Sequence, residues 1–170
     1  MGKTLIAYYS RAGENYVSGS LKQLAKGNTE LVAEKIHALT GADLYHIEQK
    51  VPYSEEYNTC IEEARRDKEK GARPELLHPV PDLSAYDTIY LGYPNYWGTV
   101  PMAVCTFLSS ADMTGKILRP FCTHEGSGLG TSVADLRRLC REAKVEEGLA
   151  VHGSRIGASE KNIERWVKNA

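Results

Sequence analysis

Short apolar runs alternate with apolar stripes at helical spacing along the whole chain, and this constrains the fold most. Leu5-Ile6-Ala7-Tyr8-Tyr9 is almost continuously apolar and ends at polar Ser10, as a strand buried on both faces requires. Thr88-Ile89-Tyr90-Leu91-Gly92-Tyr93 and Ile117 to Thr123 repeat that pattern, and Gly148 to Val151 gives a shorter version. Leu44-Tyr45-His46-Ile47-Glu48 is more polar, as at a sheet edge. Between these runs Leu31, Val32, Ile36 and Leu39 form a helical stripe, with Asn28 and Thr29 as caps and Gly41 as the stop. Tyr57, Ile61 and Ala64 give a narrow stripe in the highly charged stretch Glu55 to Lys70, a helix expected on the surface. Pro74, Pro79 and Pro81 mark a non-helical linker, and Pro101 suits the first turn of a helix carrying Met102, Val104, Cys105, Phe107 and Leu108. Ser132 with Asp135 resembles a capping box before Val133, Leu136, Leu139 and Cys140, and Ser159 is placed to cap a last helix with Ile163, Trp166 and Val167.

Five strands separated mostly by helices call for an open parallel α/β sheet covered on both faces. The 170 residues suffice for one domain spanning 1–170. With 21 Lys and Arg against 22 Asp and Glu, the net charge of -1 argues against a nucleic-acid or membrane-surface partner. No apolar run approaches the roughly 18 residues of a membrane span, and the N-terminal run is too short and polar for a signal peptide. Cys60, Cys105, Cys122 and Cys140 are widely spaced, with no metal-binding or Cys-x-x-Cys pattern. They read as reduced, mostly buried thiols of a cytoplasmic protein, with no metal site.

In such sheets a ligand sits beyond the carboxyl ends of the strands, where the strand order reverses. Three loops lie there. Ser10-Arg11-Ala12-Gly13-Glu14-Asn15 places hydroxyls and small residues after the first strand, and Asn28 and Thr29 open the next helix. Together these can hold a phosphate on backbone amides, or they are a plain turn with a capping Thr. Glu14 opposes the phosphate reading unless its side chain points away. Pro94-Asn95-Tyr96-Trp97-Gly98-Thr99 carries two large aromatics, which either stack on a flat ligand or fold back as a lid over the core. Thr123-His124-Glu125-Gly126-Ser127-Gly128-Leu129-Gly130 is glycine-rich, and its frame fits neither a nucleophile elbow nor a dinucleotide fingerprint. There His124 is a proton donor, a ligand contact or a solvated histidine. A phosphate joined to a planar ring fits the three loops better than a sugar or peptide.

These segments, in this order, resemble the flavodoxin-like family: Leu5 to Gly13, Gly27-Asn28-Thr29-Glu30, Tyr93 to Pro101 with Trp97-Gly98-Thr99-Val100-Pro101, and Pro120 to Ser132. The resemblance implies an open twisted five-stranded parallel sheet of order 2-1-3-4-5 and a non-covalently bound FMN. It implies that Ser10, Ala12, Gly13, Asn15, Asn28 and Thr29 hold the phosphate. Pro94, Asn95, Tyr96, Trp97, Gly98 and Thr99 would flank one side of the ring, with Trp97 the leading stacking candidate and Gly98 free to reorient its peptide. Thr123, His124, Glu125, Gly126, Ser127 and Gly128 would line the other side. The segment Glu14 to Lys26 interrupts the family pattern and is expected to loop outward.

Two functions are implied. One is electron transfer through bound FMN with a redox partner protein, for which Glu55, Glu56, Glu62 and Glu63 offer an acidic patch. The alternative is an NAD(P)H-dependent reductase of quinones or similar small acceptors. In either, the flavin does the chemistry and no side chain serves as a catalytic acid, base or nucleophile. Stacking on Trp97 with no cation nearby is expected to disfavour the anionic reduced flavin.

Overall fold

The computed structural model describes residues 2–170. The chain runs β1 (Lys3–Tyr8), β2 (Gly13–Val17), β3 (Ser20–Leu24), α1 (Asn28–Thr40), β4 (Asp43–His46), α2 (Tyr57–Lys70), β5 (Tyr86–Pro94), α3 (Met102–Ser109), β6 (Ile117–His124), α4 (Ser132–Leu139), β7 (Lys144–Val145), β8 (Leu149–His152) and α5 (Glu160–Lys168). The main sheet is parallel throughout, in the order β4-β1-β5-β6-β7, with β8 also on β6. This is the expected order. The fifth position is shared: β7 pairs with Ile117 and Leu118, and β8 continues alongside Phe121 to His124.

The apolar runs are continuous because both faces of the sheet are covered. Leu5, Ala7, Ile89, Leu91, Tyr93, Leu118 and Cys122 point into a core closed by α3 and α4, through residues such as Val104, Phe107 and Leu136. The alternating residues Ile6, Tyr8, Tyr90 and Phe121 point the other way, onto Val32, Ala33 and Ile36 of α1 and Ile163 of α5. Gly92 pairs with Phe121, whose ring lies where a Cβ would stand, 2.2 Å from its Cζ. All four cysteines are free and buried, as expected. Among the described residues no helix is long and apolar enough to cross a membrane.

Three capping expectations are corrected. The N-cap of α1 is Gly27, and the hydrogen bond to the helix comes from outside: the Glu30 amide donates to Ser10 Oγ at 3.1 Å. Ser132 lies inside α4, buried, and accepts from the Tyr93 hydroxyl; Thr131 is the N-cap, and its hydroxyl donates to Asp135 at 2.9 Å. Ser159 gives its hydroxyl to the Arg155 carbonyl and makes no side-chain cap. In the first two cases a tertiary partner intervenes, whereas Ser159 bonds back four residues to Arg155.

The Glu14 to Lys26 insertion contains the antiparallel hairpin β2-β3, closed by Ser18 and Gly19, both at positive φ (50° and 88°). That is the backbone of a two-residue primed turn. An isolated hairpin is marginal in water, and this one is fastened to the segment that precedes α2. Arg11 donates from Nε to Glu14 O, from Nη1 to Ser54 O and from Nη2 to Glu55 O, at 3.0, 3.0 and 2.9 Å. Glu14 Oε1 accepts from the Tyr57 amide at 2.8 Å and so caps α2. The rings of Tyr16 and Tyr57 stack with centroids 6.4 Å apart.

Candidate functional site

The carboxyl ends of β1, β5 and β6 face a cavity of about 390 Å³. Its lining includes Asn28 and Thr29 from α1, Asn15 from the hairpin, Pro94 to Trp97 from the loop after β5, and Thr123, His124, Glu125 and Ser127 from the loop after β6. All three loops singled out by sequence thus converge. Ser10, Ala12, Gly13, Gly98, Thr99, Gly126 and Gly128 do not line it. Several of these hold the wall from behind: the Gly126 amide donates to His124 Nδ1, Gly128 O accepts from Asn95 Nδ2, and Thr99 Oγ1 donates to Asp135 at 2.5 Å.

Sequence reasoning missed Arg11, Tyr16, Tyr57, Cys60, Ile61 and Ala64, which also line the cavity. Four of them form the inner face of α2. The signal was present: the narrow stripe on that charged helix is apolar because it faces this wall.

At one end of the cavity stands the N-terminus of the 13-residue helix α1. Among the described residues, the amides of Asn28 and Thr29 have no partner, as expected of a helix's first turn. Thr29 is buried, and its hydroxyl lies 2.8 Å from that of Thr123, joining α1 to the end of β6. Ser10 Oγ accepts from the Glu30 amide, so its own proton remains free to donate. The Glu14 carboxylate is turned onto the Tyr57 amide and away from this end.

At the other end, Trp97 is 44% exposed and sits at φ 55°. Tyr96 and Thr99 exchange backbone hydrogen bonds across Trp97 and Gly98, a tight two-residue turn. A tryptophan in the left-handed region is strained, and it persists only where its surroundings over-determine it. Here they do. Trp97 Nε1 donates to Ile61 O at 2.8 Å, Lys68 Nζ donates to Trp97 O at 2.6 Å, and the Gly98 amide donates to Asn95 Oδ1 at 2.8 Å. The indole therefore leans on α2 at the cavity wall and does not fold into the core. Gly98 O accepts from the Thr131 amide at 2.7 Å. The peptide freedom expected of Gly98 is thus taken up by bonds on both sides.

The charge pattern is simple. Burial pushes the Tyr96 and Tyr57 phenols and the Cys60 thiol up, so all three stay protonated near neutrality. The Tyr96 hydroxyl is buried with no hydrogen-bond partner among the described residues. Burial, and then the neighbouring His152, hold His124 below the usual imidazole range, against the opposing pull of Glu125. The two imidazoles lie edge to face at 5.3 Å. Since His124 Nδ1 accepts from Gly126, its neutral form carries the proton on Nε2. Glu125 takes the Ser154 hydroxyl against both carboxylate oxygens, at 2.7 and 2.6 Å. Arg11 is the cation on the cavity wall, which corrects the expectation that none would be near. Among the described residues there is no cluster of potential metal ligands.

A doubly covered parallel sheet with a crevice where its strand order reverses, an amide-rich helix end on one side and aromatics on the other, defines an α/β ligand-binding protein. A Flavodoxin family model matches residues 3–170, and the chain belongs to that family. Among solved structures, a candidate flavoprotein from Bacteroides eggerthii is 27% identical over 99% of this chain and 98% of its own, with a TM-score of 0.77. One from Bacteroides uniformis is 24% identical over 98% of both chains, also at 0.77. A flavoprotein from Lactobacillus acidophilus, solved in complex with FMN, is 22% identical over 93% of this chain and 98% of its own, at 0.66. No curated protein matches.

Proposed function

We propose that this chain is a single-domain, cytoplasmic redox protein that binds FMN non-covalently in the cavity between α1, α2 and the loops after β5 and β6. The observation that carries this reading is the pairing of unpartnered Asn28 and Thr29 amides at one end with Tyr96 and Trp97 at the other. A phosphate needs the first and a planar ring the second. The Glu14 carboxylate, which would repel a phosphate, is already committed to α2. Four free, buried cysteines agree with a reducing compartment.

Asn28 and Thr29 would receive the phosphate on their amides, aided by the positive end of α1, whose first turn Ser10 steadies by accepting from the Glu30 amide. Asn15 borders that end. Trp97, held rigid by its bonds to α2 and Lys68, would present its face to the ring with little further ordering cost. Thr123, His124, Glu125 and Ser127 would line the polar edge. The apolar face of α2 limits water at the site, which strengthens the electrostatics inside it. When bound, FMN supplies the electron and hydride chemistry, and the protein sets orientation and potential.

The reading is tested by titrating apoprotein with FMN and with riboflavin, following flavin fluorescence. Strong quenching by FMN and much weaker binding of riboflavin are expected. No uptake of either would refute it. The donor and acceptor, a redox partner protein or NAD(P)H with a small acceptor such as a quinone, are separated by rapid mixing with NADPH. Flavin bleaching without a partner protein identifies the reductase.

A further inference from the structure

Arg11 is a cation on the cavity wall whose side chain is held by backbone alone. Its backbone belongs to the turn after β1, close to Gly27, yet its side chain reaches across to the segment before α2. All three guanidinium nitrogens are fixed by carbonyl oxygens, of Glu14, Ser54 and Glu55. No carboxylate among the described residues pairs with it. Glu14 is spent on the Tyr57 amide, and Glu125, the carboxylate on the cavity wall, is held by Ser154 and lies 3.2 Å from His152 Nδ1. The guanidinium is therefore a half-buried positive charge on the cavity wall, held by three carbonyls and with no carboxylate in contact. Its influence reaches the aromatic end of the cavity: it pulls against the burial that raises Cys60 and Tyr96.

We propose that Arg11 is the electrostatic determinant of the cofactor's reduced state, holding fully reduced flavin as its anion and so committing the site to two-electron hydride chemistry with a small acceptor. This rests on the FMN reading above and selects between its two functions. The charges balance. Hydride would carry two electrons and one proton from a dihydronicotinamide, which would leave as the nicotinamide cation, and the neutral oxidised flavin would take on one negative charge in the cavity that Arg11 lines. Hydride then passes to a quinone, one proton from water completes the hydroquinone, and oxidised flavin returns. A low-potential single-electron carrier needs the opposite arrangement, an environment that repels that anion.

The experiment compares wild type with R11M and R11K at pH 7. Dissociation constants for oxidised FMN come from fluorescence, and two-electron midpoint potentials from equilibration with reference dyes. Wild type should bind reduced FMN at least as tightly as oxidised FMN. R11M should lose at least tenfold more affinity for the reduced than for the oxidised form, about 30 mV downward for a two-electron couple. R11K keeps the charge and should stay within threefold of wild type. The proposal is overturned if R11M shifts the ratio less than threefold, or if R11K falls as far as R11M. Should R11M lose its fold through the freed hairpin, the wild-type ratio still decides, and reduced FMN bound tenfold more weakly than oxidised refutes the role. Failure of wild type to bind any FMN removes the underlying reading as well, whereas normal binding with an unmoved ratio removes only Arg11.

Discussion

Valine at Thr29 and Thr123, singly and together, separates the structural from the ligand-binding work of the two hydroxyls. They lie 2.8 Å apart, on residues only 1% and 4% exposed. Valine preserves each shape and removes the oxygen. A single replacement loses the bond and strands the partner hydroxyl away from water, which costs about 1–3 kcal/mol. For a chain of this size, roughly 2–4 °C in Tm accompanies each kcal/mol. T29V and T123V apoproteins should therefore melt roughly 2–12 °C below wild type. The double variant strands nothing and should return to within about 1 kcal/mol of wild type. Thermal unfolding followed by circular dichroism supplies the cycle, and a double variant as unstable as the sum of the singles would refute the pairing. FMN affinity is the second readout. The pair shares one proton and has another to give, so losing both hydroxyls should weaken FMN by roughly 10–100-fold, the value of a charge-assisted bond. Riboflavin, which lacks the phosphate, should weaken less, by no more than the Thr123 contact at the ring edge accounts for. Equal weakening of both would mean that these hydroxyls do not serve the phosphate.

Trp97→Ala should weaken FMN binding by about 1–3 kcal/mol, the range for a base on an aromatic side chain, as read by fluorescence titration; Trp97→Asn, tolerated at positive φ, should give the more stable apoprotein of the two. Arg119→Met should destabilise by about 1–3 kcal/mol in urea unfolding, the cost of stranding the buried Tyr90 hydroxyl and the Trp166 carbonyl. Arg119 is 3% exposed, bonds Glu146, the Tyr90 hydroxyl and Trp166 O, and has the Trp166 ring 4.4 Å from its guanidinium carbon. Asp135→Asn should flatten the acid limb of stability. Burial raises the Asp135 pKa, but hydrogen bonds from Thr99 and Thr131, with Arg138 beside it, outweigh burial and hold it below the usual value. A depressed carboxylate stabilises fully above its unfolded pKa of about 3.9 and loses that contribution as pH falls through the folded value. Denaturation midpoints between pH 2 and 5 should therefore fall less steeply in the variant.

The sheet was legible in the sequence because burial on both faces leaves few readings for runs such as Leu5 to Tyr9 and Thr88 to Tyr93. The three loops were legible for a related reason: strand ends fix where ligand-facing segments must lie, so Asn28, Tyr96 and His124 could be brought together without coordinates. The hairpin left a signal that was not used. Ser18-Gly19 between Tyr16-Val17 and Ser20-Leu21 is a primed-turn pattern. The caps of α1 and α4 failed because capping propensity is local, whereas Thr29 and Ser132 found partners set by tertiary packing; Ser159 instead bonds the carbonyl four residues before it.

Arg11 was out of reach for a deeper reason. Its role depends on carbonyls 43 and 44 residues away and on the absence of a paired carboxylate, neither of which a local motif encodes. Arg11 and Glu14 stand only three residues apart in the sequence. The fold sends the two side chains to neighbouring backbone groups at the start of α2. Glu14 secures the Tyr57 amide, and Arg11 secures the carbonyls just before it. Each charge is met by backbone dipoles, so neither neutralises the other. The insertion thereby fastens α2 as a cavity wall and leaves a cation with no contacting carboxylate on that wall. A chain whose first strand led directly into Asn28 would lack Glu14 and the hairpin, and with them the contacts that hold Arg11 and α2 in this arrangement.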